Sequence, residues 1–371
     1  MKAQSRTERD AWVNWWLSPE ELDHYGIRDS PERWGDYLAF DAWSRVVRKP
    51  LSDENTAPLT QNKWVFEHYF QSQAFALPRM HGLVHPLHGM MSDGTPVRGI
   101  EDLLAWLRNS GVKEFVVKPI AGWNSEGLVI CSGIDWSGPS PVFQSPEGDL
   151  SHDTFAERVL LSFRGTVGCV VQERCQPHPR LGEIGLDLPS TVRIVIFMPD
   201  SGVPEVQATA LFVGRRGQMV NSWTKGAVSI AIDPESGQLG YGRTLPNFGV
   251  EPLSRHPDTG ASFLGQKLPG WTEALDLAIN ASRATPNLRL ICWEILLTNA
   301  GPRLLEANLG FGLTILQVHT AGFLKDGTAE RWRQAGASLP DGTPYWGRPR
   351  LPGRVYRKAK RVAARVAGLA S

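Results

Sequence analysis

No apolar run in the sequence is long enough to cross a bilayer, and its opening stretch, MKAQSRTERDAWVNWW, holds no apolar core of the kind a secretory signal carries. A cytoplasmic chain is therefore expected. Cysteine is scarce. Cys131, Cys169, Cys175 and Cys292 form no C-x-x-C pair, which argues against a zinc ribbon and a disulfide scaffold and fits a reducing compartment. Neither sign of charge dominates: a formal net charge of +1 speaks against a general nucleic-acid binder. Internal repeats and low-complexity tracts are missing. So are a Walker A ending, G-K-[ST], and any Ser-His-Asp or Cys-His arrangement.

What is present is 371 residues, enough for two or three domains and a sizeable core. The most informative stretch is Leu290–Thr298, followed by Asn299-Ala300-Gly301 and the return over 302–309. Both arms are apolar, and the Gly-ended loop suits a hairpin whose last loop residue takes positive φ. Side chains alternate faces along a strand, so Glu306 and Asn308 share a face. The expected register sets Glu294 nearly opposite Glu306. Two carboxylates in apolar strands repel and lose solvation, and a cation relieves both costs. Oxygen ligands without His or Cys favour magnesium over zinc, and magnesium keeps positions open for phosphate oxygens. A pair of edge acids facing solvent is the alternative that an isolated E-x-N would suggest.

Residues 1–78 read as mainly helical. Ser18-Pro19-Glu20-Glu21 opens a helix, and Trp12, Trp15 and Trp16 at helical spacing are expected to pack inward. Asn62-Lys63 opens another over 64–73. His81, His85 and His88 sit among Gly and Pro and read as a turn-rich surface segment rather than a metal site. A helix follows over 100–109, stopped by Gly111. The strand 114–118 ends in Lys118-Pro119 and runs through a Gly-bounded loop, 121–127, into a second strand, 128–131. Such a loop can lay backbone N–H groups over phosphates, with Lys118 supplying a cation; an ordinary hairpin with a surface lysine fits the residues too. Arg193, inside the β-branched run 190–198, needs an anion partner, either a core glutamate or a phosphate. The basic segment 352–371 has an apolar stripe at Val355, Ala359, Val362, Val366 and Leu369. It reads as an amphipathic helix for peripheral contact with anionic membrane or a partner, or as a frayed terminal helix.

Taken together, Asn62-Lys63, Val117-Lys118-Pro119, the 122–127 loop, Gln172-Glu173-Arg174 with His178-Pro179, Ser190-Thr191-Val192-Arg193, Asn221 with Lys225-Gly226, Trp293-Glu294 and Glu306-Ala307-Asn308 resemble the ATP-grasp superfamily. More narrowly, they resemble its sugar-transfer-associated members. The resemblance runs from about residue 60 to 317. It departs in Asn-Lys where Asp-Lys is common, in Glu294 where the family often has Asp, and in Trp123, Asn124 and Glu126 where the loop usually carries small residues. The short helical N-terminus does not resemble the α/β domain preceding many such folds.

The resemblance implies an α+β fold, two lobes whose antiparallel sheets clasp ATP, behind a helical N-terminal region. The divisions expected are 1–78, a first lobe 79–172, a second lobe 173–325 and an extension 326–371. It further implies that Lys63, Lys118, Gly122, Ser125, Gly127, Gln172, Glu173, Arg174, Cys175, His178 and Asn221 hold the nucleotide. Glu294, Glu306 and Asn308 would hold Mg2+. Lys118, Arg193 and Lys225 would serve the reaction. The implied activity is ATP-driven ligation of a carboxylate to an amine through an acyl phosphate, with small-molecule or glycan-linked substrates. A kinase acting on a hydroxyl and a nucleotide-binding scaffold without turnover are the alternatives.

Overall fold

Two groups of alternating apolar segments build two antiparallel sheets in a computed structural model of the chain. It describes residues 5–344 apart from 54, 123–126, 162–167, 184–189, 219, 250 and 286. The loop residues Trp123, Asn124, Ser125 and Glu126 and the basic segment 352–371 lie outside the described residues.

In chain order the strands of the first half are β1 (Met80–Val84), β2 (Met90–Met91), β3 (Phe115–Pro119), β4 (Val129–Cys131), β5 (Gly133–Asp135), β6 (Val142–Gln144), β7 (Leu150–Ser151) and β8 (Cys169–Glu173). The second half supplies β9 (Ser190–Phe197), β10 (Glu205–Val213), β11 (Val228–Ile232), β12 (Leu239–Arg243), β13 (Leu290–Thr298) and β14 (Gly301–Asn308). One sheet has the order β2-β1-β8-β3-β4, and the other β12-β11-β10-β9-β13-β14. A small sheet, β5-β6-β7, flanks the first.

Period-two patterning decides which way each sheet faces. In β3, Phe115 and Val117 enter a core made with the helices Ile100–Ser110 and His152–Leu161. Val116 and Lys118 therefore project from the opposite face. The six-stranded sheet buries both faces. Val192, Ile194, Ile196, Trp293 and Ile295 pack beneath the helix Trp271–Ala284, which comes close because it presents Ala274, Ala278 and Ala281. Val195, Phe197, Ala210, Phe212 and Cys292 fill the other side. Arg193, Glu294 and Glu306 share that second side, where the apolar cover gives way.

That cover comes from both ends of the chain. Leu17, Leu22, Trp34 and Trp43 join Leu313, Leu316 and Trp332 in one core with the sheet. Segments before residue 78 and after residue 325 thus help to bury the same sheet face. The helix Lys63–Ser72 packs elsewhere, setting Phe70 edge-on against Trp293 with ring centroids 5.6 Å apart. Ser18 caps Pro19–His24 in a capping box with Glu21, as its sequence signature suggests. His81 departs from expectation: it is buried on β1 beside Trp106, not on a surface turn. Among the described residues, no helix is long and apolar enough to cross a membrane.

Candidate active site

The outward face of the first sheet and the polar part of the six-stranded sheet enclose a cavity of about 500 Å³. Val116, Leu128 and Ile130 form one wall, Leu296, Leu297 and Leu305 another. Lys63, Lys118, Glu294 and Glu306 form a charged group in its lining, with Lys63 Nζ 3.6 Å from Glu306 Oε1, and Glu173 and Arg174 line it as well. Apolar walls beside a charged group suit a flat ring joined to phosphates, and the volume lies within the range of small-ligand sites.

The acid pair is set by hairpin register. Glu294 lies directly opposite Glu306 across β13 and β14, and Gly301 closes the turn at φ 93°. On its other side Glu294 lies opposite Arg193 of β9. The Arg193 guanidinium donates to Glu294 Oε1 at 2.8 Å and stacks over the Phe212 ring at 4.4 Å. Its buried Nε has no partner among the described groups. Asn308 Nδ2 also donates to Glu294 Oε1, at 2.7 Å. Burial pushes the Glu294 carboxyl above the usual range, and Arg193 opposes that rise. Of the two partners left open for Arg193, the structure supplies the core glutamate.

This donor set fits a hard divalent cation. Two opposed carboxylates repel, one of them is held up by burial, and the ligand atoms in reach are oxygens. The arrangement differs from expectation in one respect. Asn308 turns its amide nitrogen, not its oxygen, toward Glu294, so a half-turn of the amide is needed before all three side chains present oxygen.

The cations arrive from two other elements. Asn62 caps the helix Lys63–Ser72 by accepting from the Val65 N–H at 3.1 Å. This fixes Lys63, whose Nζ sits 3.6 Å from Glu306 Oε1 and whose backbone N–H donates to the Ile120 carbonyl at 2.8 Å. One turn further, Glu67 accepts a hydrogen bond from Gln172 Nε2. Burial raises the Glu67 carboxyl to about 7, against the pull of Lys118 and Gln172. Burial lowers the Lys118 ammonium, while Glu67 and Glu306 hold it up. Sequence reasoning missed Glu67. Its signal was the i, i+4 spacing from Lys63, which puts both on one helix face.

The segment after β8 spans the cavity. Glu173 Oε1 accepts from the Arg79 N–H at 2.9 Å, Arg174 pairs with Glu114 at 2.7 Å, and Asn299 N–H donates to the Gln176 carbonyl at 3.2 Å. Glu173, Arg174 and Cys175 line the cavity. Burial pushes the Cys175 thiol up to about 12, so it is no nucleophile at neutral pH. Asn221 lines it too, donating to Thr191 Oγ1 at 2.7 Å. Gly122 lines the cavity, and Gly127 takes φ 72° just past the undescribed loop residues, Ser125 among them.

Three expected site residues are placed otherwise. Gln172 is buried and spends its amide on Glu67, because it occupies a strand position facing the Lys63–Ser72 helix. His178 accepts the Arg180 N–H at 3.2 Å on its ring and does not line the cavity; it starts the short helix Pro179–Glu183. Lys225 ends a one-turn helix that Gly226 closes at φ 86°, which leaves its side chain exposed and off the cavity wall.

The family profile described as sugar-transfer associated ATP-grasp matches residues 44–329, more than half of the chain. Similar solved structures include D-alanyl-alanine synthetase A from Vibrio cholerae, at 12% identity and TM-score 0.43, covering 76% of this chain and 68% of that one. Another is the D-alanine-D-alanine ligase from Coxiella burnetii, at 11% identity and TM-score 0.38, covering 77% and 55%. The biotin carboxylase from Campylobacter jejuni has 13% identity and TM-score 0.41, covering 76% and 48%. The chain thus spans about half the length of the last two. No curated protein matches the sequence.

Proposed function

The chain belongs to the sugar-transfer associated ATP-grasp family, and we propose that it is an ATP-dependent ligase joining a carboxylate to an amine. The carrying observation is that Lys63, Lys118, Glu294 and Glu306, from four separate elements, line one cavity that also has apolar walls, with Arg193 from a fifth element paired to Glu294. Val116, Ile130, Leu296 and Leu297, with the 173–175 segment, would hold the adenine ring. Glu294 and Glu306, with the Asn308 amide oxygen turned inward, would hold magnesium, which when bound neutralises phosphate oxygens and orients them.

The first step forms a bond between a substrate carboxylate oxygen and the γ-phosphorus and breaks the bond to the β,γ-bridging oxygen, releasing ADP. The amine then attacks the carbonyl carbon, the C–O bond to the phosphate breaks, and phosphate leaves with that oxygen. The nitrogen sheds its proton in the second step. Phosphoryl transfer asks mainly for positioning and charge neutralisation. Lys118 and Lys63 hold the phosphate tail. Arg193, held on Glu294 through Nη2, would add positive charge behind the acid pair.

The substrates are small-molecule or glycan-linked carboxylates and amines. The family description is the sole support for the glycan context. The basic segment 352–371 serves as a peripheral membrane contact; flotation with anionic liposomes by the full chain but not by a 1–351 truncation supports that role, and equal flotation removes it. For the reaction, ADP release is measured by mass spectrometry against pooled carboxylates and amines. Release that needs both supports ligation. A phosphorylated hydroxyl product made without an amine shows a kinase instead.

A further inference from the structure

One buried acid beside the cavity takes no part in the chemistry above. Glu67 sits a turn beyond Lys63 on the helix Lys63–Ser72 and is 3% exposed. A carboxylate so far from water must be compensated or carry a proton. Two ties dock the helix that bears it on the first sheet. At the helix start the Lys63 N–H donates to the Ile120 carbonyl at 2.8 Å, two residues past Lys118. A turn later Glu67 itself accepts from the Gln172 amide of β8. Gln172 lies opposite Val116 in the ladder between β3 and β8, and Lys118 follows Val116 on the same face. Gln172 and Lys118 are therefore diagonal neighbours, about 7–8 Å apart and within reach of long side chains. The two ties bracket Lys118, which lines the cavity.

The charges follow this geometry. Burial pushes the Glu67 carboxyl up to about 7, and Lys118, then the Gln172 amide, pull it down. Burial lowers the Lys118 ammonium. Glu67 is foremost among the groups that oppose this, ahead of Glu306 of the hairpin; Lys63 adds to the lowering, and Cys175 after β8 opposes it. A phosphate tail bound to Lys118 changes both sides of that balance. It takes over the compensation of the ammonium, and it brings negative charge toward Glu67. A carboxylate that loses its cation and gains an anionic neighbour binds a proton more tightly.

We propose that Glu67 is the resting counter-ion of Lys118: it keeps the ammonium charged at the wall of the empty cavity, releases it to the phosphate tail when nucleotide binds, and takes up one proton from solvent in exchange. The proposal rests on the nucleotide reading of the cavity. Glu67 touches no reacting atom and is a positioning residue. Its carboxylate prepares the cation before the nucleotide arrives, and its protonation then removes the repulsion that a buried negative charge would direct at the phosphates.

The test uses the full-length protein carrying carbon-13 in its glutamate side-chain carboxyls, with magnesium–ADP as the probe at pH 8. A carboxyl with a value of about 7 is about nine-tenths ionised there. Calorimetry establishes binding, and infrared difference spectra then compare filled and empty protein. The carbonyl stretch of a protonated glutamate, shifted by the label, is expected to appear on binding and to be missing from Glu67→Gln. Where that variant fails to fold, the wild type at pH 6 decides: Glu67 carries its proton before and after binding there, so the band is expected to be at least about fivefold weaker than at pH 8. Binding without the band overturns the proposal, as does a band of equal size in Glu67→Gln or at pH 6. No binding of magnesium–ADP overturns the nucleotide reading, and the proposal falls with it.

Discussion

Glu294 sits at the centre of the site's polar contacts. It faces Glu306 on one side and Arg193 on the other, and it also accepts from Asn308. Glu306 is the less encumbered acid, with Lys63 Nζ at 3.6 Å, so it is the better place to test for a metal. Glu306→Gln keeps the volume and removes the charge. It is expected to lower magnesium-dependent turnover at least about a hundredfold, with an unchanged melting temperature; wild-type turnover would contradict the assignment. Lys118→Ala is expected to weaken ATP binding about tenfold by calorimetry, as loss of one charge-assisted contact implies. Glu67 gives a pH signature. Its folded-state value near 7 lies above the ordinary 4.5, so the folded protein binds the extra proton between those values and its stability falls as pH rises through that window. Relative to Glu67→Gln, the wild type is expected to lose on the order of 2 kcal/mol between pH 4.5 and 7.5. Parallel denaturation curves across that range would show that Glu67 is not held protonated. The opposed acids were legible in the sequence because hairpin register is a local property. The Glu67–Gln172 contact was not, since it joins residues 105 positions apart. His178 and Lys225 stood beside recognisable phrases, yet each was claimed by a local turn.

Among the elements, the hairpin and the Lys63–Ser72 helix decide the site's geometry. The helix is anchored from below by Phe70 against Trp293, and its first turn then delivers Lys63 to Glu306. Phe70→Ala removes a fully buried ring and is expected to cost about 3 kcal/mol of stability by chemical denaturation. Because that helix carries Lys63, the Michaelis constant for ATP is expected to rise as well; a loss of stability with an unchanged constant would show that the helix is not the positioning element. Strand and helix boundaries were largely readable. The helix expected over 100–109 and stopped by Gly111 is found as Ile100–Ser110, with Gly111 at φ 71°. Periodicity and capping residues are written locally. Which helix covers which sheet face is not, because that is decided by residues distant in the chain, such as Leu17 and Trp332 in one core.

For the whole molecule, the two-lobed α+β ATP-grasp fold places a charged group and apolar walls in one cavity, and that pairing is the basis of the ligase account. Overall charge balance spoke only against a general nucleic-acid binder, and the ligase expectation came from the resemblance. The substrates were not legible, because they are chosen by surfaces that several elements build together. The most direct test of the account supplies ATP, magnesium, an amine pool and a carboxylate pool labelled with oxygen-18 in its carboxyl groups, and reads the phosphate by mass spectrometry. Transfer of one labelled oxygen into phosphate, only when both pools are present, is the predicted result. Unlabelled phosphate, or ADP formed equally well without a carboxylate, would contradict it.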